Sequence, residues 1–438
     1  MNFSLHPTVS RKVRFLVCLA LAGAAAPVTA ADDLPLPTTP QLVWQEIEVG
    51  MFCHFGINTF HNLEWSEGNL DPKTFNPTKL DAEQWARVAK SMGAKYLMFT
   101  AKHHDGFCLW PTETTDYSVK SSPYKEGKGD IVNEVVTACR KQGILPGLYL
   151  SPWDRHEPSY KDKAAYDQFY IRQLTELCTR YGPLVEIWFD GAGSEGREYD
   201  WPGIIAVTKK HQPQAMIFNM GKPTIRWSGN EEGFAPYPNW NVVPKAEVPN
   251  FSAGKGKTDG SGTVWLPVEC DVPLRRGWFY HTDNEGTIKP LAKLMEIYDK
   301  SVGRGANLLL NIAPDRDGLI PEPDAQRAKE FGDEIKRRYA KPLASKSDSG
   351  FTLTIHLDKP EKINCALTRE YLYQGERVRA YVIEAEVNGA WKPLCTGTSI
   401  GHKKIDHFEA TETSAVRVRV TESLDLPQFR SFAVYRID

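Results

Sequence analysis

Residues 81–107 read DAEQWARVAKSMGAKYLMFTAKHHDGF. The first half spaces its apolar residues for one face of a helix, with Asp81 placed to cap the start and Gly93 to stop it. The second half, AKYLMFTAKH (94–103), is a short apolar run without alternation, the pattern of a strand buried on both faces of a parallel sheet. The run ends in Lys102, His103, His104 and Asp105, followed by Gly106 and Phe107. A helix feeding a doubly buried strand that finishes in polar groups is one repeat of an alternating α/β fold.

The same unit recurs in both directions. Apolar runs occur at 48–57 (EVGMFCHFGI), 144–152 (ILPGLYLSP), 184–191 (LVEIWFDG), 215–220 (AMIFNM), 263–269 (TVWLPVE) and 306–314 (ANLLLNIAP). Between them, 130–143, 164–182 and 291–303 carry helical spacing. Alternation over about 300 residues predicts a (β/α)8-like barrel. Seven strands are evident and an eighth is not; a doubly wound open sheet is the competing arrangement. The repeat number and the polar strand ends favour the barrel.

Near residue 340 the pattern changes. KPLASKSDSG (341–350) reads as a polar linker, and the runs beyond it (FTLTIHL, RVRAYVIEAEV, WKPLCTGTSI, AVRVRVTE, FAVYRI) alternate with period two. Residues 351–438 are therefore expected to form an antiparallel β-sandwich, an accessory to the catalytic domain at 31–340. At the other end, Arg11, Lys12 and Arg14 precede an apolar run from Phe15 to Ala26, and Val28-Thr29-Ala30 supplies small residues for cleavage. That run is too short for a bilayer core of roughly 30 Å, so residues 1–30 read as a secretory signal peptide. The mature protein is expected to be exported, to a periplasm or beyond the cell, without membrane attachment.

The whole chain has 53 basic and 55 acidic residues, a net charge of −2. Removing residues 1–30 takes away three bases and no acids, leaving −5. Such a chain has no basic field to hold nucleic acid. Of eight cysteines, Cys18 lies in the leader; the other seven cannot all pair, and only Cys365 and Cys395 are read as a possible disulfide. Oligomeric state is not legible.

In a barrel the active face lies at the C-terminal strand ends. Those ends carry His54; Lys102 to Asp105; Tyr149, Ser151, Trp153 and Asp154; Trp188 and Asp190; and, on the sixth run, Glu269 and Asp271. His103 and His104 lack the spacing of a metal motif, so no metal is expected. Gly191, Gly193 and Gly196 form G-x-G-x-x-G, but REYDWPG (197–203) reads as giving no helix onset and no ribose-binding acid follows, which excludes a dinucleotide site. Carboxylates, imidazoles and a high tryptophan count, 12 in all, suit glycoside hydrolysis. That reaction needs one protonated carboxyl for the leaving oxygen and one ionised carboxylate at the anomeric carbon, with aromatic rings against the sugar's C–H face. Asp190 is the natural nucleophile. Its partner acid is open between Glu231, Glu232 and Glu269.

The ordered set HFG (54–56), EW (64–65), KHHDGF (102–107), WFDG (188–191) and WSGNEEG (227–233) resembles glycoside hydrolase family 29, the α-L-fucosidases, over about residues 40–340. WSGNEEG with WLPVECDVPLRRGWFYH (265–281) is similar to the branch acting on α-1,3/4-linked fucose in branched glycans, and REYLYQGERV with GTSIGHKKI to its β-sandwich. The resemblance implies a retaining double displacement with Asp190 as nucleophile and Glu231 as general acid/base, Glu232 falling on a variable position. It implies sugar-binding roles for His54, Glu64, Trp65, His103, His104 and Tyr149, and weaker ones for Arg226 and for Trp278 against the fucose methyl. No cofactor is implied; the partner is a fucosylated oligosaccharide or glycoconjugate. A related sugar such as α-galactose, or glycan binding without turnover, are the competing functions.

Overall fold

The computed structural model describes residues 35–245 and 262–437; the expected signal peptide lies outside them. A short helix, α1 (Thr39–Glu46), leads into β1 (Val49–Cys53). The chain then runs through α2 (Ile57–His61), α3 (Ala82–Ser91), β2 (Tyr96–Lys102), α4 (Ile131–Gln142), β3 (Leu145–Leu150), α5 (Lys163–Arg180), β4 (Glu186–Trp188), α6 (Trp201–His211), β5 (Met216–Phe218) and β6 (Arg226–Trp227). A two-stranded antiparallel ribbon follows, β7 (Val242–Pro244) with β8 (Thr263–Trp265). Then come β9 (Val268–Pro273), α7 (Leu291–Lys300), β10 (Asn307–Asn311) and α8 (Glu322–Tyr339).

Eight strands form one parallel sheet in the order β5-β4-β3-β2-β1-β10-β9-β6. A parallel bridge from Phe218 to Ile225 brings the two ends together. The sheet is thus the expected barrel, with Phe52, Tyr96, Met98, Tyr149, Trp188, Phe218 and Leu309 packed inside it. Helix starts follow local chemistry: Asp81, Asp130 and Asp162 each accept a backbone N–H from the first turn of α3, α4 and α5.

Within the barrel the structure adds one strand to the sequence reading and corrects two expectations. The eighth strand is the residue pair Arg226–Trp227, too short to show a period. The run 263–269 does not form one strand, because Pro267 separates the ribbon strand β8 from the barrel strand β9. A helix does follow the glycine-rich turn after β4: α6 starts at Trp201, capped by Asp200, with Pro202 in its first turn, where a missing N–H costs nothing.

The C-terminal strands are β11 (Ala344–Ser349), β12 (Thr352–Glu370), β13 (Val378–Val387), β14 (Ala390–Gly397), β15 (Lys404–Ser423) and β16 (Gln428–Tyr435). The stretch read as a linker therefore supplies an edge strand, β11, paired with β16. All six lie in one antiparallel sheet, ordered β11-β16-β12-β15-β13-β14. β12 and β15 run for 19 and 20 residues, and their pairing shifts register between His356 and Glu361. The first half of β12 lies against the part of β15 that holds β13; its second half lies beside β16. Side chains from both halves (Ile355, Val418 and Ile383; Ala366, Phe432 and Val434) share one core. The two layers of the sandwich are joined by strands that pass through both.

The sandwich is fused to the barrel. Cys365, Leu367, Ile405, Ala433 and Tyr435 belong to the barrel's own hydrophobic core. Just before β1, Glu48 takes a left-handed conformation (φ 46°) and its carboxylate meets His402 and Lys403. Its neighbour Glu46 pairs with Arg369 and Arg430. All seven cysteines of the described residues are free, so Cys365 and Cys395 are not paired.

Candidate active site

A cleft of about 1180 Å³ opens at the C-terminal mouth of the barrel. Its lining joins the expected strand-end residues His54, His103, His104, Asp190 and Asp271 with Glu64, Trp65, Arg226, Glu231 and Trp278, whereas Tyr149 and the rest of the third strand end lie outside it. Trp188 and Phe218 form its floor, stacked with centroids 3.9 Å apart and planes 8° from parallel.

Asp190 sits just past β4. Its Oδ2 accepts from Tyr149 Oη at 3.1 Å and its Oδ1 from the Ala192 N–H at 2.9 Å. Burial pushes the carboxyl's pKa up, and these two donors pull it back by favouring the anion. The Gly191–Gly196 turn shapes this wall: Gly193 has φ +67°, and a Cβ there would land 2.1 Å from the Trp153 ring.

The three histidines are neutral. Burial lowers His54 and His104 to about 3 and His103 well below its ordinary value. Their tautomers follow from the partners. Asn311 donates its Nδ2–H to the Trp278 carbonyl, so its Oδ1, 2.9 Å from His54 Nδ1, is the acceptor. Ser151 donates to the Trp153 carbonyl, so it accepts from His104 Nδ1 at 2.6 Å. Both rings are left with Nε2 as an acceptor. That of His104 lies 3.7 Å from Asp190 Oδ2. Two acceptors so placed are complementary to sugar hydroxyls. His103 stacks on Tyr149, and its buried Nδ1 has no partner.

Glu231 lies on the loop after β6, with Oε2 3.4 Å from the Trp278 indole Nε1. Its pKa is raised, first by burial and then by the anions of Asp190 and Glu64. Glu232 is exposed and outside the cleft lining. Glu269 is fully buried, and its oxygens accept from Tyr96 Oη at 2.6 Å and Trp188 Nε1 at 3.0 Å. As the second residue of β9 it lies beneath the floor rather than at the rim, so the structure does not bring it to Asp190.

Two expected sugar-binding residues serve the protein's own loops. Glu64 accepts from the Trp278 and Phe279 amides at 2.7 and 3.2 Å and pairs with His281 Nε2 at 2.6 Å. It thereby fixes the segment that carries Trp278. Arg226 donates to the Leu266 and Trp240 carbonyls and to Asn239 Oδ1. Trp65 is half exposed, edge-on to His104 and Trp153. From sequence, Ser151 and Asp271 are named only as strand-end residues without a role, and Asn311 is not singled out. Asp271 lines the cleft and accepts the Trp227 indole N–H at 2.7 Å. Asn311 directly follows the apolar Leu308, Leu309 and Leu310, which was the available signal for it.

Among the described residues no group of three or more His, Cys, Asp or Glu could hold a metal ion, and no helix is long and apolar enough to cross a membrane. A parallel barrel whose mouth gathers two separated carboxyls, neutral imidazoles and indole faces has the makings of a glycoside hydrolase. The comparisons with known proteins agree. Residues 29–338 match the α-L-fucosidase family. The chain is 37% identical over 448 aligned residues to α-L-fucosidase 1 of Arabidopsis thaliana, covering 92% of this chain and 88% of that one. A glycoside hydrolase family 29 member from an unknown rumen bacterium superposes with TM-score 0.85 at 39% identity, covering 92% of this chain and 77% of that one. A Ruminococcus gnavus family 29 fucosidase in complex with fucose gives TM-score 0.83 at 31% identity, covering 96% and 98%. The chain belongs to the α-L-fucosidase family, glycoside hydrolase family 29.

Proposed function

We propose that this α-L-fucosidase is an exo-acting, retaining enzyme that removes α-1,3/1,4-linked fucose from branched glycans by double displacement, and that it works outside the cytoplasm after loss of residues 1–30. The observation that carries the mechanism is the unequal treatment of two carboxyls on one cleft. Asp190 receives two hydrogen bonds that favour its anion. Glu231 is raised in pKa, the direction that keeps a proton ready for the glycosidic oxygen.

In the first step Asp190 attacks the anomeric carbon while the glycosidic oxygen takes the proton of Glu231 and leaves. The fucosyl–Asp190 ester no longer carries a negative charge, so one cause of the raised Glu231 pKa disappears. Glu231, now ionised, takes a proton from water, and the resulting nucleophile releases fucose with its configuration retained. A retaining site holds its carboxyls about 5–5.5 Å apart. The Nε2 acceptors of His54 and His104 serve the sugar hydroxyls, and Trp278 serves its apolar edge. The linkage assignment rests on the likeness of WSGNEEG and WLPVECDVPLRRGWFYH to the α-1,3/4-acting branch.

Incubation with fucosylated oligosaccharides of defined linkage, with product anomers followed by NMR, tests substrate, linkage and stereochemistry together. Release of β-fucose first would overturn the retaining mechanism. Faster release from α-1,2 than from α-1,3/1,4 linkages would overturn the specificity.

A further inference from the structure

Under the floor of the cleft, inside the barrel, two glutamates face each other. Glu186 on β4 and Glu269 on β9 are both fully buried, with carboxyls near enough for each to shift the pKa of the other. The groups around them are Trp44, Tyr96, Trp188 and Asn307, none a cation. Glu269 accepts from Tyr96 Oη and Trp188 Nε1, and Glu186 Oε2 accepts from Trp44 Nε1 at 2.9 Å. Glu186 Oε1 is buried with no donor facing it.

Two carboxylates so close together, without a cation and with one oxygen lacking any donor, are not a stable buried arrangement. A single proton resolves it. Glu269 already receives two donors, which favours its anion, whereas Glu186 has one. We propose that Glu186 is the protonated member and donates to a Glu269 anion, and that this anion is a positioning residue that locks the Trp188 indole as the floor of the sugar site.

The route from Glu269 to the reaction is short. Trp188 lines the cleft, and its ring stacks on Phe218 and on Tyr149, at 5.4 Å and 26° for the latter. Tyr149 in turn donates to Asp190. Burial raises the pKa of both glutamates, that of Glu186 well above its ordinary value with the Glu269 charge adding to it, while Tyr96 and Trp188 oppose the rise at Glu269.

Two isosteric variants separate this arrangement from simple filling of space. In Glu186→Gln an amide N–H replaces the O–H donor, so kcat/KM on an aryl fucoside stays within about twofold of wild type. Its infrared spectrum loses one protonated-carboxyl C=O band. In Glu269→Gln the anion is gone and an N–H₂ group faces existing donors, so KM rises about tenfold or more while kcat changes less. An unchanged infrared band in Glu186→Gln, or equal damage from both variants, overturns the proposal. If Glu269→Gln gives no folded protein, the band and melting temperature of Glu186→Gln decide alone: a lost band with stability kept supports it, and a retained band sinks it. The position of Trp188 matters only on the reading of the cleft as the fucose site. Absent wild-type turnover defeats that reading, whereas the infrared result bears on the proton alone.

Discussion

The proposed double displacement needs Asp190 as an anion in a place that disfavours anions, and Glu231 as an acid near neutral pH. Both carboxyls are raised by burial, and the consequence for pH dependence is direct. Activity falls on the acid side as Asp190 takes a proton, at a pH above the ordinary aspartate range, and on the alkaline side as Glu231 loses its own, above the ordinary glutamate range. A pH–kcat/KM profile of an aryl fucoside should be a bell whose limbs both sit high, and Glu231→Gln should abolish the alkaline limb. Asp190→Asn should cost about 10³-fold or more in kcat. In Asp190→Gly, azide should restore turnover and yield a fucosyl azide of inverted configuration. Full activity of Asp190→Asn would remove the nucleophile assignment. Glu231→Ala should lose about 10²–10⁴-fold on substrates with poor leaving groups and much less on dinitrophenyl fucoside. Asp190 was legible as a strand end, whereas Glu231 was one of three open candidates that only the family motif singled out. The histidine tautomers were not legible, because Asn311 and Ser151 come from β10 and from the end of β3, distant in sequence.

At the scale of elements, the loop that carries Trp278 is held to the barrel through Glu64. Gly277, one residue earlier, has φ +90°, and a Cβ there would fall 2.5 Å from Glu64 Oε1. Gly277→Ala should therefore displace the Trp278 segment. We expect a stability loss of about 1–3 kcal/mol and a raised KM, read by thermal melting and by kinetics on an aryl fucoside. A wild-type KM would show that the segment needs no such anchor. The sequence displayed six barrel strands because each is a buried apolar run bounded by polar residues. It concealed β6, since two residues have no period, and it blurred β8 with β9, because apolarity continues across Pro267 where the backbone does not. The same blur made Glu269 look like a rim residue. Once Val268 is seen to start β9, Glu269 lies near the strand's beginning and Asp271 near the mouth.

Across the whole molecule, the barrel and sandwich meet at a charge cluster that is buried at His402 and Lys403 and open to solvent at Arg430. Glu48 is held at about 2 against burial by the charges of Lys403 and His402, with Arg369, Glu46 and Arg430 close by. A depressed carboxylate stabilises the fold fully above its unfolded pKa, and the contribution fades as pH falls through the folded value. The window therefore runs from about pH 4.5 down to about 2. Buried His402, lowered as well, adds a loss that begins at higher pH, as pH drops below its ordinary value of 6.5. Glu48→Gln should reduce stability at neutral pH and flatten the acid dependence of the melting temperature. A parallel, unflattened curve would place the acid sensitivity elsewhere.

The core that runs from the barrel helices into β12, β15 and β16 has a meaning for how such a chain can change. A gene segment encoding the sandwich is not a cassette to be swapped or discarded. Ending translation after residue 340 would bare the apolar surface that Leu367, Ile405 and Tyr435 now cover. It would also strand Glu48 beside β1, the strand that leads to His54. Any descendant that sheds these residues must first repaint that surface, so the two halves are bound to drift together.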